Sequence, residues 1–120
     1  MSDTPQELLQ ETLVRDLLYT SPVALLVVDD EMRILVANEA AAKLSGYSIA
    51  ELTQLQSWQI TGDPEQSARN AERVHLGGRL ASQSKLRRKD GTIVHCSYFA
   101  WEARVGVLPF IAILLWPDAD

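Results

Sequence analysis

Residues 24–52, ALLVVDDEMRILVANEAAAKLSGYSIAEL, constrain the fold more than any other stretch of the chain. Two apolar runs, 24–28 and 34–37, flank the polar Asp29-Asp30-Glu31-Met32-Arg33, the layout of a two-stranded hairpin. Asn38 follows the second run directly, and its side-chain carbonyl suits the free backbone N–H groups at the start of Glu39-Ala40-Ala41-Ala42-Lys43-Leu44. Gly46 supplies a left-handed stop. Ser48 with Glu51 three residues later forms a capping box for a further short helix, expected to run from Ile49 to about Leu55.

The rest of the chain arranges itself around this block. Ahead of it, Thr4 or Ser2 caps a helix with Pro5 in its first turn. Leu9, Leu13 and Leu17 line one face of that helix, and Leu8, Val14 and Leu18 widen the stripe. Ser21-Pro22 stops it, since proline disfavours helical geometry in the residue before it. Behind the block, residues 56–62 lack a clear period and read as a loop around Trp58 and Ile60. Asp63-Pro64-Glu65-Gln66 then opens a helix that should run to about Leu76 and end at Gly77-Gly78. Its apolar content is thin, which predicts a weakly packed, mobile wall. The last third reads as three antiparallel strands, 80–88, 92–103 and 108–116. The first two are joined by a tight Lys89-Asp90-Gly91 turn of the kind that needs positive φ at both Asp and Gly.

One domain fits 120 residues that are 47% hydrophobic, because two cores would need more chain. The apolar runs are too short to span a bilayer and no signal peptide opens the sequence, so the expectation is a cytoplasmic protein or fragment without a membrane. Cys96 is the one cysteine, which excludes an internal disulfide and fits a reducing compartment. Residues 1–72 hold 12 of the 16 acidic side chains and only 4 of the 11 basic ones, a balance that argues against nucleic acid as a partner. Lys85, Arg87, Arg88 and Lys89 read as the solvated tip of a hairpin.

The acidic turn, Asn38, Gly46-Tyr47 and Glu51-Leu52, together with the basic, Asp-Gly-turned hairpin at residues 85–92, resemble the PAS domain, a sensor module of signalling proteins. The resemblance covers roughly residues 21–116. It implies an α+β fold: a five-stranded antiparallel sheet with helices on one face and an amphipathic helix leading in. The division is then 1–20 for the leading helix, 21–117 for the domain and 118–120 for a tail. It also implies a homodimer packed through the leading helix, an effector domain or partner signalling protein downstream (histidine kinase, cyclase or transcription regulator), and no catalysis. The Asp-Ile-Thr-like triad that often ends the family is matched poorly by Trp116-Pro117-Asp118.

Alternation along the fourth strand separates Val94, Cys96, Tyr98 and Ala100 from Ile93, His95, Ser97, Phe99 and Trp101. By similarity to the family, the Cys96 face looks into a cavity between sheet and helices. The same logic on the last strand sends Phe110, Ala112 and Leu114 inward and Ile111, Ile113 and Leu115 outward. With Phe99 and Trp101 these last three would make an apolar outer face for the leading helix to cover. The pocket candidates are therefore Tyr47, Trp58, Val74, Ser82, Ser84, Cys96, Tyr98, Phe110, Ala112 and Leu114. Two readings stay open. Either the polar members contact a small organic ligand, or Trp58, Phe110 and Leu114 fill the space.

Catalytic and metal signatures are missing from the sequence. His95 and Cys96 are neighbours on a strand and point opposite ways, which rules out a thiol-imidazole pair. No zinc spacing or phosphate loop is present. Family members that bind flavin through a cysteine carry it in an Asn-Cys-Arg-type motif, which nothing in residues 48–62 matches. Haem-binding members use a histidine on the long helix, and His75 is the candidate there. Its place near the helix end also suits a simple interaction with the last carbonyls.

Overall fold

The computed structural model describes residues 4–118. Ser2, the alternative cap of the leading helix, and the tail residues 119–120 lie outside the described residues. The elements follow as α1 (Pro5–Thr20), β1 (Ala24–Val28), β2 (Ile34–Ala37), α2 (Glu39–Ser45), α3 (Ile49–Leu52), α4 (Ser57–Thr61), α5 (Pro64–Gly77), β3 (Arg79–Arg87), β4 (Ile93–Val105) and β5 (Leu108–Pro117). The strands form one antiparallel sheet in the order β2-β1-β5-β4-β3, with α2 to α5 inserted between β2 and β3. The core lies between the inner sheet face and these helices, around Leu26, Val28, Ile34, Leu52, Val74 and Ile111.

Helix boundaries follow local chemistry. Thr4 and Glu7 form a capping box on α1, as Ser48 and Glu51 do on α3. Asn38 accepts the N–H of Ala41 at 3.0 Å, and Gly46 closes α2 at φ 79°. Helix α3 stops at Leu52, short of residue 55, because the Leu55 carbonyl is taken by the N–H of Ile34 at 3.0 Å and the chain turns to meet β2. The stretch 56–62, read as a loop, holds the one-turn helix α4. The Gln59 side chain accepts the Gln56 N–H at 2.8 Å, and Gly62 ends the turn at φ 74°. A single turn is too short for hydrophobic period to reveal.

The β3–β4 turn is wider than expected. Among its residues only Gly91 has positive φ, the N–H of Arg88 bonds to the Thr92 carbonyl at 2.8 Å, and Asp90 accepts both the N–H and the hydroxyl of Thr92. The neighbouring basic cluster is more than a solvated tip. Arg88 Nε donates to the Leu44 carbonyl at 3.0 Å, Lys89 Nζ pairs with Glu51 at 2.6 Å, and Arg87 donates to the Gln59 carbonyl at 3.2 Å. These contacts tie the hairpin end to α2, α3 and α4, across sequence separations that spacing cannot report.

The facing of β5 is the reverse of the sequence expectation. Tyr98 pairs with Leu115, Ala100 with Ile113 and Glu102 with Ile111, whereas Phe99 pairs with Leu114, Trp101 with Ala112 and Ala103 with Phe110. Directly paired residues share a face, so Ile111, Ile113 and Leu115 point into the core and Phe110, Ala112 and Leu114 to the outer face. A near-continuous apolar run carries no alternation from which to choose, and only the register with β4 decides it.

Helix α1 buries none of its residues. It leans on one corner of the sheet, where Val14 and Leu18 face Leu25 and Val36 across a cleft, and it leaves Phe99 and Trp101 only half-buried. Those two rings stack at 5.9 Å on the outer face. Among the described residues no helix is long and apolar enough to cross a membrane.

Candidate functional site: a cavity between α4, α5 and the sheet

A cavity of about 390 Å³ separates α4 and α5 from the inner sheet face. Its floor is sheet: Leu26 from β1, Cys96, Tyr98 and Ala100 from β4, and Ile111, Ile113 and Leu115 from β5. Ser57, Ile60, Ala71 and Val74 form the helical wall. Asp63, Gln66, Gln83 and Lys85 are exposed lining residues and mark where the cavity reaches solvent, beside the edge strand β3.

Two hydroxyls in this lining lack partners. Ser57, 7% exposed, and Tyr98 each bury a side-chain oxygen that makes no hydrogen bond. Burial pushes the Tyr98 phenol up; the neighbouring Ser82 side chain opposes that rise, although no hydrogen bond of ordinary geometry joins the two. The Cys96 thiol is pushed up by burial first and by the charge of Asp118 second, so it stays neutral at physiological pH. The lining therefore combines apolar side chains with a neutral thiol, and the Ser57 and Tyr98 oxygens are covered by neighbouring atoms.

The loop at one side of the cavity is held by an unusual backbone. Met32, a lining residue, has φ 65°, in the left-handed region that non-glycine residues rarely occupy. Its carbonyl accepts the N–H of Ser57 at 2.8 Å, and Gln56 Nε2 reaches the Glu31 carbonyl at 2.9 Å. Asp29 anchors the turn from the other side. Burial raises its pKa, but hydrogen bonds from the Arg33 N–H and guanidinium and the Glu31 N–H outweigh this and hold the carboxyl below its usual range. The β1–β2 turn thus fixes where Ser57 sits.

This arrangement can be compared with known proteins. The sequence matches the family model of the PAS domain over residues 22–115. The chain belongs to the PAS domain family. Solved structures agree on the fold. A PAS domain from a two-component sensor histidine kinase superposes with a TM-score of 0.81 at 15% identity, covering 92% of this chain and 97% of its own. A PAS domain from Colwellia psychrerythraea gives 0.83 at 16% identity, with 91% and 97% covered. One from Desulfitobacterium hafniense gives 0.76 at 24% identity, with 86% and 99% covered. No curated protein matches the sequence.

Within the PAS cavity the candidates sort unevenly. Val74, Ser84, Cys96 and Tyr98 line it, and Ser82 sits on the same sheet face just outside the lining. Tyr47 packs against the core, with the Lys89 ammonium 6.0 Å from its ring, and Trp58 donates its indole N–H to Gln56 at 3.1 Å; neither is a lining residue. Phe110, Ala112 and Leu114 face away from the cavity, while Ile111, Ile113 and Leu115, assigned to a dimer interface, line it. Leu9, Leu13 and Leu17 are exposed on α1. Ser57, Met32 and Ile60 line the cavity without being sequence candidates; in the loop that holds Ser57 and Ile60 the larger Trp58 is the residue the sequence singles out.

His75 points elsewhere. Its Nδ1 lies 3.1 Å from Glu102, which also pairs with Arg104, and it is no part of the lining. The residues present do not fit a haem held through this histidine. No group of three or more metal-ligating side chains occurs among the described residues.

Proposed function

We propose that this PAS domain is a chemical sensor without catalysis of its own, in which a small molecule in the α5–sheet cavity stabilises one packing of α4 and α5 and so changes what the flanking segments present. The observation that carries this reading is the cavity itself. A cavity of about 390 Å³ that opens to solvent beside β3 is the size of a ligand site. In this reading residues 21–117 are the sensor, residues 1–20 the flanking helix through which two copies pair, and residues 118–120 a tail. The output is an effector domain or partner signalling protein of the kind a histidine kinase, cyclase or transcription regulator contains.

The test is mass spectrometry of molecules released when the purified protein is denatured, beside a metabolite-library thermal-shift screen. Wild type is expected to release or be stabilised by a small molecule. Ala71→Phe, which places a ring in the cavity, should lose that response. A wild type that retains nothing and responds to nothing contradicts the reading.

A second reading rests on α1. Leu9, Leu13 and Leu17 are 58%, 50% and 65% exposed, a stripe that one copy of the chain leaves in water. If dimerisation is the whole task, Leu13→Glu separates the copies and abolishes output, while Ala71→Phe leaves output intact.

A further inference from the structure

The mouth of the cavity lies along a strand edge, and that edge narrows the ligand, an inference that rests on the sensor reading above. Strand β3 ends the sheet, with β4 on one side and, among the described residues, no strand on the other. Opposed residues of an antiparallel pair alternate between those that exchange ladder hydrogen bonds and those whose peptide groups point away from the partner. The N–H of Arg88 bonds to the Thr92 carbonyl and the N–H of Glu102 to the Gly78 carbonyl, at the two ends of an unbroken β3–β4 register. Even-numbered residues of β3 therefore turn their N–H and C=O to β4, and odd-numbered ones turn theirs to the open edge. Gln83 and Lys85 are odd, and both line the cavity. Their side chains start on the other sheet face, with those of Ser97 and His95, so what they bring to the opening is backbone. The Lys85 carbonyl already accepts from Ser84 Oγ at 3.4 Å, whereas no such contact occupies the N–H or C=O of Gln83 among the described residues.

We infer that the cavity takes an uncharged molecule whose aromatic or alicyclic body lies among Leu26, Ile60, Val74, Ile111 and Ile113, and whose lactam or carboxamide head, an N–H beside a C=O, pairs with the C=O and N–H of Gln83. Such a head completes the edge as a residue of a neighbouring strand would, exchanging both bonds. Asp63 and Lys85 bring opposite charges to the same opening, so neither an anionic nor a cationic head is favoured there. A bare strand edge also suits an added peptide, but Arg79, Lys85 and Arg87 stand along this one, and such charges deter a second strand. The apolar space behind the edge favours a compact molecule.

The experiment is a calorimetric or fluorescence titration of the full chain with three bicyclic probes: 2-quinolone, coumarin and naphthalene. Coumarin replaces the lactam N–H of 2-quinolone with an oxygen, and naphthalene carries no polar group. Wild type is expected to bind 2-quinolone about fivefold or more tighter than coumarin. Gln83→Pro removes the edge N–H without touching the β4 ladder, a position where a strand tolerates proline. It should lower the affinity for 2-quinolone relative to naphthalene about fivefold, whereas Gln83→Ala keeps the peptide group and should hold that ratio. Ala71→Phe should abolish binding of all three. Should Gln83→Pro not fold, the ratio of 2-quinolone to coumarin in wild type decides. Equal binding of those two, or a ratio to naphthalene that falls as far in Gln83→Ala as in Gln83→Pro, overturns the head-group assignment and leaves the cavity as a ligand site. Binding of 2-quinolone that survives Ala71→Phe puts it on the strand edge outside the cavity and overturns the assignment too. Failure of all three probes to bind overturns this ligand class alone, because the release and library experiment above judges the sensor reading independently.

Discussion

The side-chain oxygen of Asn38 accepts the backbone N–H of Leu25 at 2.9 Å, thirteen residues away, while also capping α2 through Ala41. Its amide nitrogen donates to the carbonyls of Leu18 and Val23 at 2.8 and 2.9 Å. One side chain, 1% exposed, thus joins the end of α1, the entry to β1 and the start of α2. Helix α1 has no buried residue, and this side chain is a buried polar tie between its end and the sheet.

Asn38→Ala should therefore cost more than an ordinary cap, about 2–4 kcal/mol against about 1 for a surface N-cap. It should also speed amide exchange in residues 14–20. Asn38→Asp keeps the acceptors and loses both donors, so it should restore the α2 cap without restoring α1. Urea denaturation and exchange mass spectrometry check both.

The facing of the last strand makes a second prediction. Ile111→Ala opens a hole in the core and should cost about 2–4 kcal/mol, whereas Leu114→Ala trims a half-buried side chain on the outer face and should cost clearly less. Equal losses at the two positions would contradict the β4–β5 register.

Much of this architecture was legible in the sequence because its signals are local. Asn38, Gly46, the Ser48–Glu51 box and Asp63-Pro64 act within a turn of the chain; alternation separates the two faces of β4, and the family resemblance turns the one with Cys96, Tyr98 and Ala100 inward. The misses share the opposite property. The direction of β5 depends on register with β4, and the ties of Arg87, Arg88 and Lys89 to α4, α2 and α3 span distant segments. Ser57 entered the site only because the β1–β2 turn holds its N–H. Tyr47, a candidate polar contact, packs against the core beside the distant Lys89, and Trp58, a candidate filler, bonds to its neighbour Gln56; neither lines the cavity.

Acid and alkali should destabilise the domain through different groups. Asp29 is held below the usual carboxylate range, so its contribution is present above about pH 4 and is lost as pH falls through its lowered value. Cys96 and Tyr98 are raised, so they contribute fully below the ordinary thiol and phenol values and the contribution is lost as pH rises through their folded values. Thermal melts from pH 2 to 11 should show both flanks, with Asp29→Asn flattening the acid one and Cys96→Ala the first part of the alkaline one.

The exposed stripe of α1 predicts self-association. Wild type should sediment as a dimer at micromolar concentration and Leu13→Glu as a monomer with an unchanged circular dichroism spectrum. A monomeric wild type would remove the leading helix from any dimer interface.

The most direct measurement is hydrogen exchange of the full chain with and without saturating amounts of the compound that stabilises it most in the metabolite-library screen. Helix α5 buries only Val74 and meets the sheet across the cavity, so it is the wall an occupant should hold. Slower exchange over residues 57–77, with a smaller gain near Asn38 and neither in Ala71→Phe, is the predicted result. Binding of that compound with exchange over residues 57–77 unchanged would contradict the account.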